Sequence, residues 1–404
     1  IQKHFYIRHH SLWSLWFSGS RWISYWLNAI HYSIGKFDPF SYRMGNITLS
    51  NRLVMNPMTR SRADASGTPQ PLMAEYYGQR ATAGLIVSEG IAPSANGKGY
   101  ARIPGLWSDA QVQAWKPVTN AVHAKGGVIY LQLWHTGRVS HSSHQPDGGA
   151  PVAPSAIAAQ GGMAMDRDGR AVPYEVPRAL RADELPGLVD SFRQGAANAI
   201  AAGFDGVEIH GANGYLLEQF LQSRSNQRTD DWGGSIANRC RLHLDIARAV
   251  VAEVGAARTG IRLSPWGVAN DSGEDDPQPL YTHLITELAR LNLVYLHLIE
   301  PRASGTGKAD IVRDGQPAVA SIFRPLWPGV LIDAGGYDGA GALQAVAGGQ
   351  IDAVAFGRYF ISNPDLPERI RRSAQLTPYH RPTFYTPGPE GYTDYPALDG
   401  PAAA

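Results

Sequence analysis

The stretch Gly206-Val-Glu-Ile-His-Gly-Ala-Asn-Gly-Tyr215 joins a short apolar run to a polar turn. The run from Gly206 to Ile209 has the length of a buried strand, and His210, Asn213 and Tyr215 follow it within six residues. Three side chains that can hydrogen-bond or carry a proton therefore emerge together at one strand end. In a barrel of alternating strands and helices, active sites are built at this end of the strands.

Similar runs recur from Leu53 onward, separated by longer amphipathic segments. Counting the run at Gly206, eight strands are predicted, at Leu53–Asn56, Leu85–Ser88, Val128–Gln132, Gly206–Ile209, Gly260–Leu263, Val294–Leu298, Val330–Asp333 and Ala353–Phe356. Helices are predicted between them at Asp109–Lys125, Arg181–Ala202, Ile236–Val254, Pro279–Leu291 and Gly339–Gly348. This alternation is typical of repeated βα units, and eight strands predict an α/β fold, a single-domain (β/α)8 TIM barrel. A doubly wound open sheet is the alternative, but no GxGxxG turn follows the first strand.

Length and composition agree with one barrel. The chain has 404 residues, of which 44% are hydrophobic, and a barrel domain commonly fills this length. We predict the barrel over residues 37–398, a nonessential N-terminal extension over 1–36 and a short tail over 399–404. Tryptophans among basic residues would suit the extension to a membrane interface, although membrane contact is not expected from the rest of the chain.

Charge and cysteine content exclude several classes of partner. A net charge of +1 gives no electrostatic case for binding nucleic acid. Cys240 is the single cysteine, which rules out an intrachain disulfide, a cysteine-rich zinc site and a cysteine-ligated cluster. We therefore expect a cytoplasmic protein without a metal, a monomer or homodimer that acts on a small molecule.

Arg262 and two glycine-containing loops point to a bound anion. Arg262 lies within the apolar fifth strand, and a buried arginine needs an anionic or polar partner. A bound anionic ring or an ion pair with Glu208 would satisfy it. The seventh and eighth strands lead into Ile332-Asp-Ala-Gly-Gly336 and Ala355-Phe-Gly-Arg-Tyr359, where free backbone N–H groups could bind a phosphate. Tight turns are the alternative interpretation.

Longer motifs extend over most of the chain. They are Asn56-Pro-Met-Thr-Arg-Ser-Arg62, Gln132-Leu-Trp-His-Thr-Gly-Arg138, His210-Gly-Ala-Asn-Gly-Tyr-Leu-Leu217, Ser225-Asn-Gln-Arg-Thr-Asp230, Trp232-Gly-Gly-Ser-Ile-Ala-Asn-Arg239 and Glu390-Gly-Tyr-Thr-Asp-Tyr395. Together they resemble the old yellow enzyme family of FMN-dependent ene-reductases, especially its bacterial N-ethylmaleimide reductase-like branch. The resemblance runs from about Phe37 to Leu398.

The resemblance implies a site for FMN at the strand ends. The flavin ring would be bound by Pro57, Met58, Thr59, Gly90, Gln132 and Arg262, and the phosphate by Gly335, Gly336, Gly357 and Arg358. Thr59 would bond the O4 region, and the Gln132 carboxamide would pair with the pyrimidine ring. Arg262 would lie by N1 and O2, where negative charge gathers on reduction.

The resemblance also implies a catalytic mechanism. NADPH or NADH would reduce the flavin, which would then pass a hydride to an electrophilic alkene in a ping-pong reaction. His210 and Asn213 would polarise the carbonyl or nitro group of the alkene, and Tyr215 would protonate the α-carbon. The substrate pocket would be lined by Tyr100, Trp134 and Tyr385. Without the motif, we would interpret Tyr215 as a packed aromatic residue.

Two departures from the family pattern bear on the pocket. Thr386-Pro-Gly-Pro replaces the usual glycine-rich run after Tyr385, and the loop Pro301–Gly315 diverges, which affects the lid over the site. Two other functions remain open on the residues alone. One is a flavin-free barrel lyase or isomerase that binds a phosphorylated sugar, and the other is a noncatalytic paralogue.

Overall fold

Eight parallel strands close into a barrel, so the predicted (β/α)8 fold is confirmed. The strands span Leu53–Met55, Leu85–Ile91, Ile129–Leu133, Gly206–Gly211, Thr259–Leu263, Tyr295–Ile299, Val330–Ala334 and Ala353–Phe356. Strands that follow each other in sequence pair with each other, and the eighth pairs with the first. The predicted strands are all present, with ends that move by no more than three residues.

The structure is a computed structural model that describes residues 41–302 and 315–398. The predicted extension 1–36, the tail 399–404 and most of the divergent loop after Pro301 lie outside the described residues. Their boundaries therefore stay predictions.

Helices follow the strands and pack on the outside of the barrel. In the described residues they span Pro71–Gln79, Asp109–His123, Leu185–Ala201, Leu216–Leu221, Ile236–Val254, Pro277–Ala289, Val319–Phe323, Gly339–Ala347, Arg358–Ser362 and Leu366–Arg371. The predicted start at Arg181 is replaced by a 3-10 turn, Ala182–Glu184, that precedes the helix. Local chemistry explains some ends: Ser108 and Gln111 form a capping box at the start of Asp109–His123. None of the described helices is long and apolar enough to cross a membrane.

The barrel interior is apolar at the N-terminal ends of its strands. Side chains that alternate inward meet there in one buried cluster, including Val54, Leu85, Val87, Tyr130, Tyr295 and Ile332. A hairpin of strands Tyr42–Met44 and Ile47–Leu49 adds Met44 and Leu49 to this cluster. The N-terminal end of the barrel is thereby filled and closed, which leaves the carboxyl ends of the strands for a site.

Polar side chains replace the apolar ones nearer the carboxyl ends. On the third to sixth strands the inward positions hold Gln132, Glu208, Arg262 and His297, and all four are buried. Glu208 pairs in register with Gln132, and Arg262 pairs with His297. We call these four residues the polar layer. Barrel interiors are usually packed with branched apolar residues, so the polar layer marks a functional region.

Three buried arginines fasten the C-terminal segment to the barrel. Arg60 donates to the carbonyls of Phe384 at 3.1 Å and Gly391 at 2.7 Å. Arg62 donates to the Phe384 carbonyl as well, at 2.8 Å, and Arg80 donates to the carbonyl of Phe360 at 2.8 Å. The motif that ends the first strand therefore also holds the segment that carries Tyr385.

Candidate active site

The turn after the fourth strand sets His210 and Asn213 at the barrel mouth. His210 is the inward residue that follows Glu208 on strand Gly206–Gly211, and its register partner is Arg262. Asn213 has a positive φ of 58°, which asparagine tolerates better than most residues. Its N–H donates to Ser264 Oγ at 2.8 Å, and its carbonyl accepts from Asn270 Nδ2 at 2.8 Å. The backbone N–H and carbonyl of Asn213 are thus both hydrogen-bonded to the loop after the fifth strand.

Tyr215 lies against three other aromatic rings. Its hydroxyl is 3.1 Å from that of Tyr100, and its ring meets Trp134 edge to face at 4.8 Å. The His210 ring centroid is 5.4 Å away. We call Tyr100, Trp134, His210 and Tyr215 the aromatic cluster. The structure thus brings together two of the three predicted catalytic residues, His210 and Tyr215, with two of the three predicted pocket aromatics, Tyr100 and Trp134.

Burial keeps His210 and Tyr215 in their neutral forms. It lowers the pKa of His210 well below the ordinary value, and the charge of Arg262 acts in the same direction. Burial raises the pKa of Tyr215 to about 12, although the hydrogen bonds from Tyr100 and Asn270 lower it in part. At neutral pH the site therefore offers an imidazole and a phenol, both able to donate a hydrogen bond.

Gly90 is required by the position of Trp134. A Cβ at Gly90 would lie 2.3 Å from Trp134 Cε3, much closer than real contacts allow. Gly90 also pairs with Gln132 across the second and third strands. The glycine therefore lets the indole pack over the strand end beside the polar layer.

Glu208 is the centre of the polar layer. Its Oε1 accepts from Gln132 Nε2 at 2.7 Å. Its Oε2 accepts from the Tyr295 hydroxyl at 3.1 Å and lies 2.8 Å from His297 Nδ1. The alternative of a direct ion pair between Arg262 and Glu208 is not found among the described residues, and Arg262 instead donates to Asn56 Oδ1 at 2.9 Å.

Unpaired buried nitrogens around the layer fit a polar planar ring. Trp134 Nε1, His210 Nδ1, Arg262 Nε and His297 Nε2 are all buried without a hydrogen-bond partner. Leaving a buried polar group unpaired costs about 1–3 kcal/mol, so such a concentration calls for a ligand. The flavin of FMN carries carbonyl oxygens and ring nitrogens that can accept from the N–H groups of Trp134 and Arg262, and a ring N–H that can donate to an unprotonated imidazole nitrogen. The residues present therefore fit it.

The remaining residues predicted to bind the flavin follow the first strand. Pro57, Met58 and Thr59 follow Leu53–Met55 in an irregular, half-buried segment. The Thr59 side chain makes no hydrogen bond within the described part of the chain, which leaves its hydroxyl available. A Cβ at Gly357 would lie 3.6 Å from Met58 Sδ, so this segment adjoins the loop after the eighth strand.

The first of the two predicted phosphate loops has a backbone that glycine permits. Gly335 and Gly336 have φ of 138° and 72°, conformations that L-residues with side chains rarely adopt. Gly357 precedes the helix Arg358–Ser362, and the Arg358 guanidinium lies 5.9 Å from the centroid of the Tyr379 ring. Phosphate binding by these residues stays a prediction.

Tyr385 makes no hydrogen bond or ring contact with the aromatic cluster among the described residues, although its electrostatic interaction adds to burial in raising the pKa of Tyr100 and of Tyr215. It is 52% exposed, and its ring packs against Phe384 at 6.3 Å. Its carbonyl accepts from Arg102 at 2.8 Å. Its role in the pocket remains a prediction.

Sequence analysis missed the residues that support the catalytic turn. Glu218 accepts from the hydroxyls of Ser264 at 2.7 Å and Tyr281 at 2.6 Å, and from the N–H of Gly214. Glu218 lies three residues after Tyr215, at the start of a helix, and this spacing was the available signal. Asn270 gave no such signal, because its loop has no periodic pattern.

The comparisons with known proteins identify the family. The sequence matches the NADH:flavin oxidoreductase / NADH oxidase family over residues 36–377. It is 46% identical over 362 residues to 12-oxophytodienoate reductase 1 of Oryza sativa subsp. japonica, covering 89% of this chain and 92% of that protein.

Solved structures agree with the sequence relatives. A morphinone reductase in complex with tetrahydroNAD shares 46% identity at a TM-score of 0.83, over 89% of this chain and 97% of that one. An old yellow enzyme homologue from Zymomonas mobilis shares 43% identity at a TM-score of 0.84, over 89% of this chain and 99% of that one.

These relatives do not favour the flavin-free alternative, and assignment to the bacterial branch stays a prediction, since plant reductases match equally well. No group of three potential metal ligands occurs within residues 41–302 and 315–398. The chain therefore belongs to the NADH:flavin oxidoreductase / NADH oxidase family and is an old yellow enzyme-like flavin oxidoreductase.

Proposed function

We propose that this protein reduces the activated C=C bonds of α,β-unsaturated carbonyl compounds, nitroalkenes and maleimides, and also accepts nitrate esters. FMN would be the bound cofactor, and NADPH, or NADH less well, the electron donor. The observation that carries the proposal is the contact of Tyr215 with Tyr100 and Trp134 beside His210, directly above the polar layer.

The polar layer and the adjoining segments would hold the cofactor. Gln132 and Arg262 offer an amide and a cation to the pyrimidine side of the ring, and Thr59 offers a free hydroxyl. The phosphate would be bound by Gly335, Gly336, Gly357 and Arg358. When bound, FMN supplies hydride transfer between the nicotinamide and the alkene.

His210 and Asn213 would bind the oxygen of the activating group. The imidazole is neutral, because burial lowers the pKa of His210, and so it carries one N–H donor. Together with the Asn213 amide it would stabilise the negative charge that develops on a carbonyl or nitro oxygen. Preorganised donors of this kind in a site shielded from water account for much of catalysis.

Tyr215 would donate the proton to the α-carbon. Because burial raises the pKa of Tyr215 to about 12, the phenol is fully protonated at neutral pH. The hydroxyl of Tyr100, 3.1 Å away, can donate to the phenolate that remains once the proton has left. The same contact orients the Tyr215 hydroxyl.

Replacing Tyr215 by phenylalanine tests this assignment. We expect Tyr215→Phe to slow reduction of weakly activated enones by about 100-fold or more, the usual contribution of a general acid. The rate at which NADPH bleaches the flavin absorbance should change little. Anaerobic stopped-flow measurement of the two half-reactions separates them.

Tyr42→Phe, in the hairpin at the opposite end of the barrel, is the matched control and should leave both rates unchanged. Equal loss of both half-reactions in Tyr215→Phe, or no loss in either, would contradict the assignment. A colourless purified protein that FMN cannot reconstitute would exclude the proposed function altogether.

Preference for the nicotinamide, location and assembly are further parts of the proposal. We propose NADPH over NADH, a cytoplasmic location and a monomer or homodimer. Anaerobic titration of the flavin with each nicotinamide, cell fractionation and gel filtration address these three points.

A further inference from the structure

The Glu208 carboxylate is deeply enclosed in the barrel. It has 0% exposure, and three donors reach its two oxygens, from Gln132, Tyr295 and His297. None of the roles assigned above to the flavin or substrate uses it. A buried carboxylate costs several kcal/mol unless it is well paired, so its retention inside a barrel needs a reason.

The contact with Glu208 decides the orientation of the Gln132 carboxamide. An ionised carboxylate can only accept hydrogen bonds, so the Gln132 atom that lies 2.7 Å from Oε1 must be the Nε2 donor. The Gln132 Oε1 is consequently turned away from Glu208 and stays available as an acceptor. Were Glu208 neutral, both orientations of the Gln132 amide could be satisfied.

The charge of Glu208 is maintained by its neighbours. Burial alone would raise the pKa of Glu208, but His297, its hydrogen bond and the charge of Arg262 outweigh burial and hold the pKa below its ordinary value. Burial lowers the pKa of His297, which leaves a neutral imidazole that donates from Nδ1. The polar layer thus contains one cation, Arg262, and one anion, Glu208.

We propose that Glu208 is a positioning residue for the FMN ring. It holds the Gln132 carboxamide with its oxygen free to accept from the pyrimidine N–H, and its negative charge offsets part of the charge of Arg262. This inference rests on the FMN site of the proposed function. It predicts that removing the charge makes FMN easier to reduce, because the cofactor gains negative charge on reduction.

The test compares Glu208→Gln with the wild type in the full-length protein. We expect the dissociation constant for oxidised FMN to be roughly tenfold larger, as measured by fluorescence titration of protein from which FMN has been removed. We also expect a rise in midpoint potential of about 30 mV, which for a two-electron couple equals a tenfold change in the ratio of oxidised to reduced affinity. Neither readout depends on turnover.

Asp205→Asn is the matched control. Asp205 directly precedes the same strand, at its opposite end, and accepts from the N–H of Ile129 at 2.8 Å. It loses the same charge without touching the polar layer, and both readouts should stay at their wild-type values. The double variant Glu208→Gln/Gln132→Met should bind FMN no worse than Gln132→Met alone, since residues that act as a unit are not additive.

An unchanged or lower midpoint potential in Glu208→Gln would overturn the proposal. So would a double variant whose loss of FMN binding free energy equals the sum of the losses in the two single variants. If Glu208→Gln does not fold, Glu208→Asp keeps the charge and shortens the side chain by one methylene, so the carboxylate no longer reaches Gln132 Nε2. It should weaken binding of oxidised FMN, and a wild-type dissociation constant in this variant would overturn the proposal. A wild type that binds FMN and reduces enones, beside a Glu208→Gln protein with unaltered potential, contradicts this inference alone and leaves the proposed function standing.

Discussion

In the proposed mechanism, Tyr215 gives up a proton once negative charge has built up on the substrate. Burial raises its pKa to about 12, so the phenol is a weak acid that does not lose its proton to water. Tyr100 moderates this by one hydrogen bond of 3.1 Å. The pair therefore combines a fully protonated resting form with a neighbour that stabilises the deprotonated form.

Tyr100→Phe should weaken proton donation by Tyr215 without abolishing it. A hydrogen bond to a charged group contributes about 1.5–3 kcal/mol, so we expect alkene reduction to slow by roughly tenfold. Flavin reduction should be little affected. Single-turnover oxidation by a weakly activated enone measures the effect, and a rate equal to that of the wild type would show that Tyr100 does not assist Tyr215.

The packing of the second strand at the barrel mouth depends on a glycine, Gly90. The second strand approaches the indole of Trp134 so closely that a Cβ at Gly90 would lie 2.3 Å from Cε3. Trp134 in turn packs edge to face against Tyr215 at 4.8 Å. A change in the packing of the second strand against the Trp134 indole would therefore also shift Tyr215, the proposed proton donor.

Gly90→Ala should therefore lower both stability and activity. Overpacking of this kind costs about 1–3 kcal/mol, and displacement of Trp134 should move the Tyr215 ring. Urea denaturation measures the first effect, and steady-state turnover measures the second. Gly187→Ala is the control: it lies in the helix Leu185–Ala201 with open space around its Cβ position, and alanine there should be neutral or stabilising.

At the scale of the whole molecule, the titration of Asp333 should make stability fall as the pH rises from about 4 to about 7. Asp333 is buried, and burial together with the charge of Glu300 raises its pKa to about 7, despite a hydrogen bond from Tyr337 and the charge of Arg302. Between its unfolded pKa near 4 and about 7, the folded chain holds more protons than the unfolded one. Stability from this group is therefore complete at low pH and is lost as the pH rises through about 7.

Asp333→Asn should flatten that dependence. An asparagine can still accept from Tyr337 and has no charge to bury. We expect the free energy of unfolding to drop less between pH 5 and pH 8 in the variant than in the wild type, as measured by urea denaturation at both pH values. The same slope in both proteins would show that Asp333 does not titrate in this range.

The barrel was predictable because its strands are short apolar runs at regular spacing, and Gly206–Ile209 needed no tertiary information. The site was predictable only where the functional side chain follows such a run, as His210 does. Partners across strands were not: the contacts of Glu208 with His297 depend on register and closure, which no local pattern contains. Arg262 was recognised as needing a partner, but its bond to Asn56 joins residues 206 positions apart.

The arginine contacts of the first-strand motif have a consequence for synthesis on the ribosome. Arg60 and Arg62 are made early, but the carbonyls that receive them belong to Phe384 and Gly391. Until residues 384–391 have emerged from the ribosome, these two guanidiniums lack these carbonyl acceptors. The segment that carries Tyr385 therefore docks last, so a nascent chain arrested before residue 383 would contain every strand of the barrel and still lack this part of the proposed pocket.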